Sequence, residues 1–173
     1  MIKIYTDGSS LWNPGPGGRG VLIQWAEAKD ISLVWWEEWT TNNRMELTSV
    51  MEALNWLLKK KLAGEQITVY LDSLYVHDWI QKYLANWIAR GWKLANKSPV
   101  LNQDLWKQVP SLVGGFTNIQ WVWVKWHAYN KNNNLVDGLA RSEAERIQKS
   151  LPKWYKPPVK ASEPEGKQKT LFN

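Results

Sequence analysis

Four acidic residues stand where the pattern of the chain changes, and together they could hold a metal ion. Asp7 ends a short alternating segment, Asp72 ends a nearly all-apolar one, and Glu46 and Asp137 lie near the starts of amphipathic segments. Taken singly, each acid has an ordinary structural use as a turn residue, a helix cap or a first-turn acid. Glu46, for example, forms a capping-box pattern with Asn43.

Taken together, the four acids favour phosphodiester chemistry. Asp7 and Asp72 both end apolar strands that we expect to be central and adjacent, and open sheets place their sites beyond strand ends. Clustered carboxylates repel one another unless a cation lies among them. Hard oxygen ligands without a thiolate suit Mg²⁺ or Mn²⁺, and a pair of such ions about 3.5–4 Å apart is a known arrangement for this chemistry.

The spacing of apolar residues predicts the elements that position these acids. Alternation and branched or aromatic content predict strands at 2–7, 20–25, 32–39, 67–72 and 119–125. Helical spacing predicts helices at 43–62 and 134–149, and a helical region at 73–113 with breaks near Gly91 and Pro99. Three early strands favour antiparallel pairing, and the later strands, each reached across a helix, favour parallel additions. The fold class is therefore α/β, with one mixed sheet flanked by helices.

The glycine-rich segment at residues 8–18 is predicted to be a loop. Residues 15–20 fit the G-x-G-x-x-G pattern of dinucleotide sites, but that pattern requires a strand before it and a helix after it. Here a predicted strand follows, so we interpret these glycines as turn residues and expect no nucleotide cofactor.

Composition excludes several classes of protein. The chain has 173 residues, 44% of them hydrophobic, which is enough for one domain with a substantial core. It has no cysteine, which excludes disulfides, thiolate metal sites and a cysteine nucleophile. No segment is long and apolar enough for a membrane span, and the N-terminus lacks a signal-peptide core, so we expect a cytoplasmic protein without a membrane partner.

The net charge of +6 is unevenly distributed. Residues 1–150 contain 17 basic and 14 acidic residues, whereas residues 151–173 contain five lysines and two glutamates. Each part therefore has a balance of +3, and the second part also holds four of the eight prolines. We predict a domain over residues 1–150 and an extended or disordered basic tail over 151–173.

Five separated blocks of sequence resemble type 1 ribonuclease H. They are Tyr5-Thr6-Asp7-Gly8-Ser9, Asn13-Pro14-Gly15-Pro16-Gly17-Gly18, Thr41-Asn42-Asn43-Arg44-Met45-Glu46-Leu47, Asp72-Ser73-x-Tyr75-Val76, and Val124-Lys125-x-His127-Ala128 with Asn133 and Asp137. The resemblance covers residues 1–148 and implies a ribonuclease H-like fold with a sheet of five strands, three antiparallel and two parallel. It further implies a monomeric endonuclease that hydrolyses the RNA strand of an RNA–DNA hybrid, leaving 3′-hydroxyl and 5′-phosphate ends.

The resemblance also implies roles for individual residues. Asp7, Glu46, Asp72 and Asp137 match the catalytic positions and would hold two Mg²⁺ ions, with Mn²⁺ as the alternative. His127 matches a catalytic histidine that assists proton transfer or product release. The matching substrate-binding positions are Ser10, Asn13, Thr41, Asn42, Asn43, Leu74, Tyr83, Trp87, Trp92, Lys93, Lys97 and Asn102. Among these, Thr41 and Asn102 match a pocket for a DNA phosphate, and residues 82–99 match a basic protrusion.

Three departures from the family pattern and two alternative functions accompany this prediction. Trp12 and Trp126 stand where the family usually has glycine, and Leu74 replaces a residue that is usually polar or Met. One alternative is a catalytically inactive module that binds hybrids, which the survival of all four acids and His127 disfavours. The other is a related nuclease domain cut from a reverse transcriptase polyprotein.

Overall fold

The computed structural model describes residues 1–26, 28–125, 130–152 and 155. The strands are β1 (Ile2–Ser10), β2 (Gly15–Trp25), β3 (Ile31–Thr40), β4 (Gln66–Leu71) and β5 (Asn118–Trp123). The α-helices are α1 (Asn42–Lys59), α2 (Leu74–Asp78), α3 (Leu84–Ala89), α4 (Gln103–Trp106), α5 (Val109–Val113) and α6 (Lys131–Ser150). A π-helical turn, Trp79–Tyr83, joins α2 to α3.

The five strands form one mixed sheet in the order β3-β2-β1-β4-β5. Strand β2 is antiparallel to both of its neighbours, whereas β4 is parallel to both β1 and β5. The predicted mixed sheet, with three antiparallel and two parallel strands, is confirmed. In the β1–β4 pair Thr6 lies opposite Leu71, so the residues that follow, Asp7 and Asp72, come to the same end of the sheet.

Helices cover both faces of the sheet and bury two apolar clusters. The larger cluster joins the sheet to α1 through residues such as Ile4, Val69 and Leu54, and it continues into the aromatic residues of the segment after β4. A smaller cluster on the α6 side contains Tyr5, Leu22 and Val136. Among the residues that the structure describes, none of the helices combines the length and apolar composition needed to cross a bilayer.

The predicted loop at residues 8–18 is largely wrong, because β1 extends to Ser10 and β2 begins at Gly15. Glycine serves close packing here rather than turning. A Cβ atom on Gly18 would lie 2.2 Å from the carbonyl oxygen of Ala140, and one on Gly20 would lie 2.7 Å from that of Val136. Helix α6 therefore rests directly on the backbone of β2, which side chains at these positions would prevent.

Arg19 occupies the alternate position of β2 between these two glycines. It is buried, and its guanidinium group pairs with Glu37 of β3 at 2.9 Å and with Glu52 of α1 at 3.1 Å. The glycine segment thus presents its backbone to α6 and the paired guanidinium group of Arg19 to α1. Because β2 leads into β3 and not into a helix, the segment lacks the strand-to-helix geometry of a dinucleotide site.

Several predicted helix boundaries shift. Helix α1 ends at Lys59 and not at residue 62, and α6 begins at Lys131, three residues before its predicted start. The predicted break near Gly91 is confirmed, since this glycine has a positive φ of 61° just after α3. Helix α6 ends at Ser150, beside the predicted boundary between domain and tail. The extended character of residues 151–173 stays a prediction, because most of this segment lies outside the described residues.

The contact between α6 and β2 predicts opposite effects for two glycine substitutions. Gly18→Ala should lower the free energy of unfolding by about 1–3 kcal/mol, because the added methyl group meets the helix backbone. Gly138→Ala lies inside α6, where an added Cβ would meet no described residue within 4 Å apart from the helix's own backbone and its chain neighbours, and it should raise this free energy by about 0.5–1 kcal/mol through helix propensity. Denaturant titrations of both variants and the unmodified protein test this. Equal effects would mean that α6 does not pack as closely as described.

Candidate active site

Asp7 lies within β1, close to the end at which the parallel strand β4 also finishes. Its carboxyl group is 5% exposed, and one of its oxygens accepts a hydrogen bond of 2.7 Å from the Gly8 amide. The sequence predicted Asp7-Gly8 as a possible turn, but both residues are in the strand. Asp7 is therefore positioned by the central strand of the sheet and not by a turn.

Glu46 belongs to the first turns of α1 but does not act as a capping residue. The cap is Thr41, whose hydroxyl oxygen accepts a hydrogen bond of 3.4 Å from the Arg44 amide, so the predicted capping box of Asn43 and Glu46 is wrong. A Cβ atom on Gly8 would lie 2.1 Å from the Glu46 nitrogen, which shows how closely α1 approaches β1. The Glu46 side chain is 7% exposed and is directed to the acidic site instead.

Asp72 directly follows β4, and contacts from two neighbouring elements fix its position. One of its side-chain oxygens accepts a hydrogen bond of 3.0 Å from the side-chain Nδ2 of Asn133 on α6. Its main-chain oxygen accepts one of 2.9 Å from the indole N–H of Trp123 on β5. The cap of α2 is Ser73, whose hydroxyl oxygen accepts from the Val76 amide at 3.3 Å, so Asp72 is not used for capping.

Asp7, Glu46 and Asp72 form one cluster, in which a ligand atom from each lies within 4.8 Å of those of the others. Asp137 lies beside them on the wall of the same cleft, which has a volume of about 660 Å³. The structure thus brings the four predicted acids together, three as a tight cluster and Asp137 adjacent to it.

The cluster is electrostatically strained as long as it holds only negative groups. Burial, followed by the charges of Asp72 and Asp137, raises the pKa of Asp7 to about 8. Burial also raises the pKa of Glu46 well above its usual range, and the charges of Asp7 and Asp72 add to that effect. A divalent cation among these oxygens would offset both causes.

The donor set fits a hard divalent metal ion. The cluster offers carboxylate oxygens at short separation on rigid elements, and such donors suit Mg²⁺ and Mn²⁺ rather than a thiolate-seeking metal. The buried side-chain oxygen of Asn133 has no hydrogen-bond partner among the described residues, while its amide nitrogen orients Asp72. These features distinguish the cluster from an ordinary acidic surface patch.

Comparison with known proteins identifies the family. A family model described as RNase H matches residues 1–145. The chain belongs to the ribonuclease H family. It is therefore an enzyme of the hydrolase class, and its mixed sheet is the ribonuclease H fold.

Individual relatives agree with this assignment. The chain is 44% identical over 147 residues to a ribonuclease H of Hyphomonas neptunium, covering 85% of this chain and 94% of that protein. The crystal structure of LC9-RNase H1 superposes with a TM-score of 0.73 at 29% identity, covering 84% of this chain and 72% of the other. LC11-RNase H1, solved in complex with RNA/DNA hybrid, shares the fold with a TM-score of 0.65 at 23% identity, covering 86% and 99%.

In this ribonuclease H, hydrogen bonds connect several of the predicted substrate-binding residues beside the acidic cluster. The Asn42 side chain accepts a hydrogen bond of 3.1 Å from the Ser10 amide, and the Asn13 side chain accepts one of 3.0 Å from the Asn42 amide. Ser10, Asn42, Asn43 and Leu74 line the cleft itself. The structure therefore places this group where a bound substrate could reach both it and the acids.

Thr41 and Asn102, the predicted phosphate pocket, are linked through Arg44. The Arg44 amide donates to Thr41, and its guanidinium group donates to the Asn102 side chain at 3.2 Å and pairs with Asp104 at 2.7 Å. The side-chain Nδ2 of Asn102 also donates to the Tyr75 hydroxyl at 3.0 Å. Both the oxygen and the nitrogen of the Asn102 side chain are therefore hydrogen-bonded. Its backbone is left-handed, with φ of 53°, at the start of α4.

The predicted basic protrusion consists of exposed lysines and of aromatic residues that are partly or fully buried beneath them. Lys93 and Lys97 are exposed, while Tyr83 and Trp92 are half-buried and pack against the core. Trp87, predicted to contact the substrate, is only 4% exposed and packs against other aromatic rings, including that of Trp79 at 4.4 Å between centroids. We therefore correct its assignment to the aromatic core beneath this surface.

His127, like Trp126, lies outside the described residues, so its predicted catalytic role stays a prediction. Asn133 was not selected from the sequence as a site residue, although it is buried and bound to Asp72. Its signal is its place in the fifth ribonuclease H-like block, although the helix was predicted to begin only at residue 134. Helix α6 instead begins at Lys131, so Asn133 lies in its first turn.

The raised pKa values predict how stability depends on pH when metal is absent. The unfolded chain releases the Asp7 proton near pH 4, whereas the folded protein retains it up to about pH 8, so stability falls as the pH rises between these values. Asp7→Asn should reduce this slope, and so should added Mg²⁺. Thermal denaturation in EDTA from about pH 5 to 8 tests this.

The control for that measurement is Asp30→Asn, which changes an exposed acid outside the cluster. It should keep the slope of the unmodified protein. If all three proteins showed the same slope, the cluster could not be the source of the pH dependence.

Proposed function

We propose that this ribonuclease H cleaves the RNA strand of RNA–DNA hybrids internally and leaves 3′-hydroxyl and 5′-phosphate ends. The observation that carries the proposal is the convergence of Asp7, Glu46 and Asp72 at one end of the sheet, with Asp137 on the same cleft. Membership of the family and the hybrid complex of LC11-RNase H1 support the same substrate class.

We assign Asp7, Glu46, Asp72 and Asp137 as the residues that hold Mg²⁺, as two ions, with Mn²⁺ as the alternative. Buried, mutually repelling carboxylates support this assignment. When bound, the metal supplies positive charge that activates water and stabilises the oxygens of the phosphate during cleavage. The cleft must also hold the scissile phosphate next to the four acids.

The chain's own residues orient these groups. Asn133 fixes one oxygen of Asp72, and the Gly8 amide fixes one oxygen of Asp7, so both carboxylates keep a single orientation. We propose that His127 assists proton transfer or product release. Histidine is the residue type that most often accepts and returns protons near neutral pH, which suits this role.

We propose that Asn13, Asn42 and Asn43, with Ser10 and Leu74, contact the minor groove, where the 2′-hydroxyl distinguishes RNA from DNA. Their position along the cleft supports this. Thr41 and Asn102 would bind a DNA phosphate, and Lys93, Lys97, Tyr83 and Trp92 would contact the hybrid from the protrusion. A monomeric state, a cytoplasmic location and the lack of a nucleotide cofactor remain predictions.

The purified protein should cleave a labelled RNA–DNA hybrid in Mg²⁺ and leave single-stranded RNA and duplex DNA largely intact. EDTA should stop the reaction, because the acids then lack the cation that their arrangement requires. Denaturing gels of 5′-labelled substrate measure both cleavage and end chemistry. Indifference to the hybrid in Mg²⁺ and in Mn²⁺ would refute the proposal.

Asp7→Asn should abolish cleavage while hybrid binding is kept or strengthened, because it removes a ligand charge without removing the surrounding surface. Asp30→Asn, an exposed acid outside the cleft, is the matched control and should cleave normally. Normal cleavage by Asp7→Asn would show that the metal site has been assigned to the wrong residues.

Asn133→Ala should weaken the affinity for Mg²⁺ by about 10- to 100-fold, because Asp72 loses the group that orients it. The Mg²⁺ concentration for half-maximal cleavage measures this, and excess Mg²⁺ should restore much of the rate. Asn134→Ala, the exposed neighbour on α6, should leave the Mg²⁺ dependence unchanged. An unchanged midpoint for Asn133→Ala would contradict the orienting role.

A further inference from the structure

Trp12 is a large apolar residue in the short segment between β1 and β2, and it is 47% exposed. The residue before it, Leu11, lines the cleft. The residue after it, Asn13, accepts a hydrogen bond from the amide of Asn42, which lines the cleft as well. Trp12 is thus flanked on both sides by residues tied to the proposed active site.

The segment that carries Trp12 is held in place. The Leu11 amide donates to the Pro16 carbonyl oxygen at 3.0 Å, and the Ser10 hydroxyl donates to the carbonyl oxygen of Trp12. The Trp12 side chain also rests on Gly15, where an added Cβ would lie 2.9 Å from the Trp12 Cβ and 3.0 Å from its Cε3. A side chain already held in this way loses little conformational entropy when it contacts a ligand.

The charges of the cleft make an uncharged contact valuable. Among the described residues that line it, Asp7, Glu46, Asp72 and Asp137 are acidic, and Arg141 is the basic side chain. Phosphates near such a surface gain little from electrostatics. The walls of a nucleic acid groove, however, also present ribose and base edges, on which an aromatic ring can bury apolar area without needing a counter-charge.

We propose that Trp12 packs against the ribose and base edges of the bound hybrid and supplies affinity that does not depend on salt. The inference rests on the proposed function, since it takes the RNA–DNA hybrid as the ligand of the cleft. Because an indole bears no charge, its contact releases no counterions, in contrast to a lysine or arginine on a phosphate.

An exposed tryptophan is by itself ordinary, so the test requires a matched control. Trp36 on the edge strand β3 is 46% exposed, and its ring lies 5.9 Å from the guanidinium group of Arg146 on α6 instead of on the segment between β1 and β2. The fluorescence anisotropy of a labelled hybrid in EDTA, measured over a series of salt concentrations, gives the Kd and its salt dependence. Trp12→Ala, Trp12→Phe, Trp36→Ala and the unmodified protein are compared, with circular dichroism to verify folding.

Trp12→Ala should raise the Kd about five- to tenfold at every salt concentration, the lower end of the range for one aromatic contact. The slope of log Kd against log salt should stay the same, and kcat with Mg²⁺ should change little. Trp12→Phe should recover most of the affinity, which also provides a readout if Trp12→Ala fails to fold. Trp36→Ala should match the unmodified protein.

A Kd for Trp12→Ala and Trp12→Phe equal to that of the unmodified protein would overturn the inference. So would an equal loss in Trp36→Ala, or a changed salt slope. Failure of the unmodified protein to bind or cleave the hybrid would instead refute the proposed function, so the two failures are distinguishable.

Discussion

Asp7 stands between two glycines, and the close approach that these glycines permit sets the geometry of the site. Gly8 follows it in β1, and Gly20 lies opposite it in β2. A Cβ on Gly8 would meet the backbone of α1 beside Glu46, and a Cβ on Gly20 would meet the backbone of α6 at Val136. Side chains at these positions would push the two helices away from the sheet, because packed interiors cannot absorb added volume without displacement. Glu46 and Asp137 would then move away from Asp7. The geometry of the acidic cluster therefore depends on Gly8 and Gly20 as well as on the acids themselves.

The same close packing creates an electrostatic cost that the rest of the domain must sustain. Burial and mutual repulsion raise the pKa values of Asp7 and Glu46, which means that the folded protein resists holding both as carboxylates. The neighbouring elements nevertheless hold the cluster together, through the parallel pairing of β1 with β4 and through the hydrogen bonds to Asp72 from Asn133 and Trp123. A bound cation would reduce the repulsion between these carboxylates, so metal affinity and fold stability are coupled.

The sequence predicts the sheet and the convergence of the acids because both follow from local rules. Alternation identifies the strands, and parallel pairing brings the ends after Thr6 and Leu71 together, so Asp7 and Asp72 must be neighbours. What it cannot predict depends on contacts between distant segments. Glycines of β2 resemble turn residues until α6 is placed on them, and Trp87 resembles a surface aromatic until the rings around it are known. Asn133 is another example. An asparagine-rich segment resembles a loop, and its hydrogen-bond partner Asp72 is 61 residues away in the sequence.

The distribution of charge implies that a polyanion would meet two kinds of surface on this domain, an acidic cleft and separate basic residues outside it. The cleft must remain acidic to hold metal, so it cannot also attract phosphates by long-range electrostatics. Positive charge is placed instead on exposed residues such as Lys93 and Lys97, and Arg44 near the proposed phosphate pocket is partly offset by Asp104. With a balance of only +3 over residues 1–150, salt-dependent affinity from this part of the chain should be moderate. Uncharged contacts beside the acids, from asparagine side chains and an exposed indole, are the type of interaction that can hold a hybrid there without neutralising the clustered carboxylates.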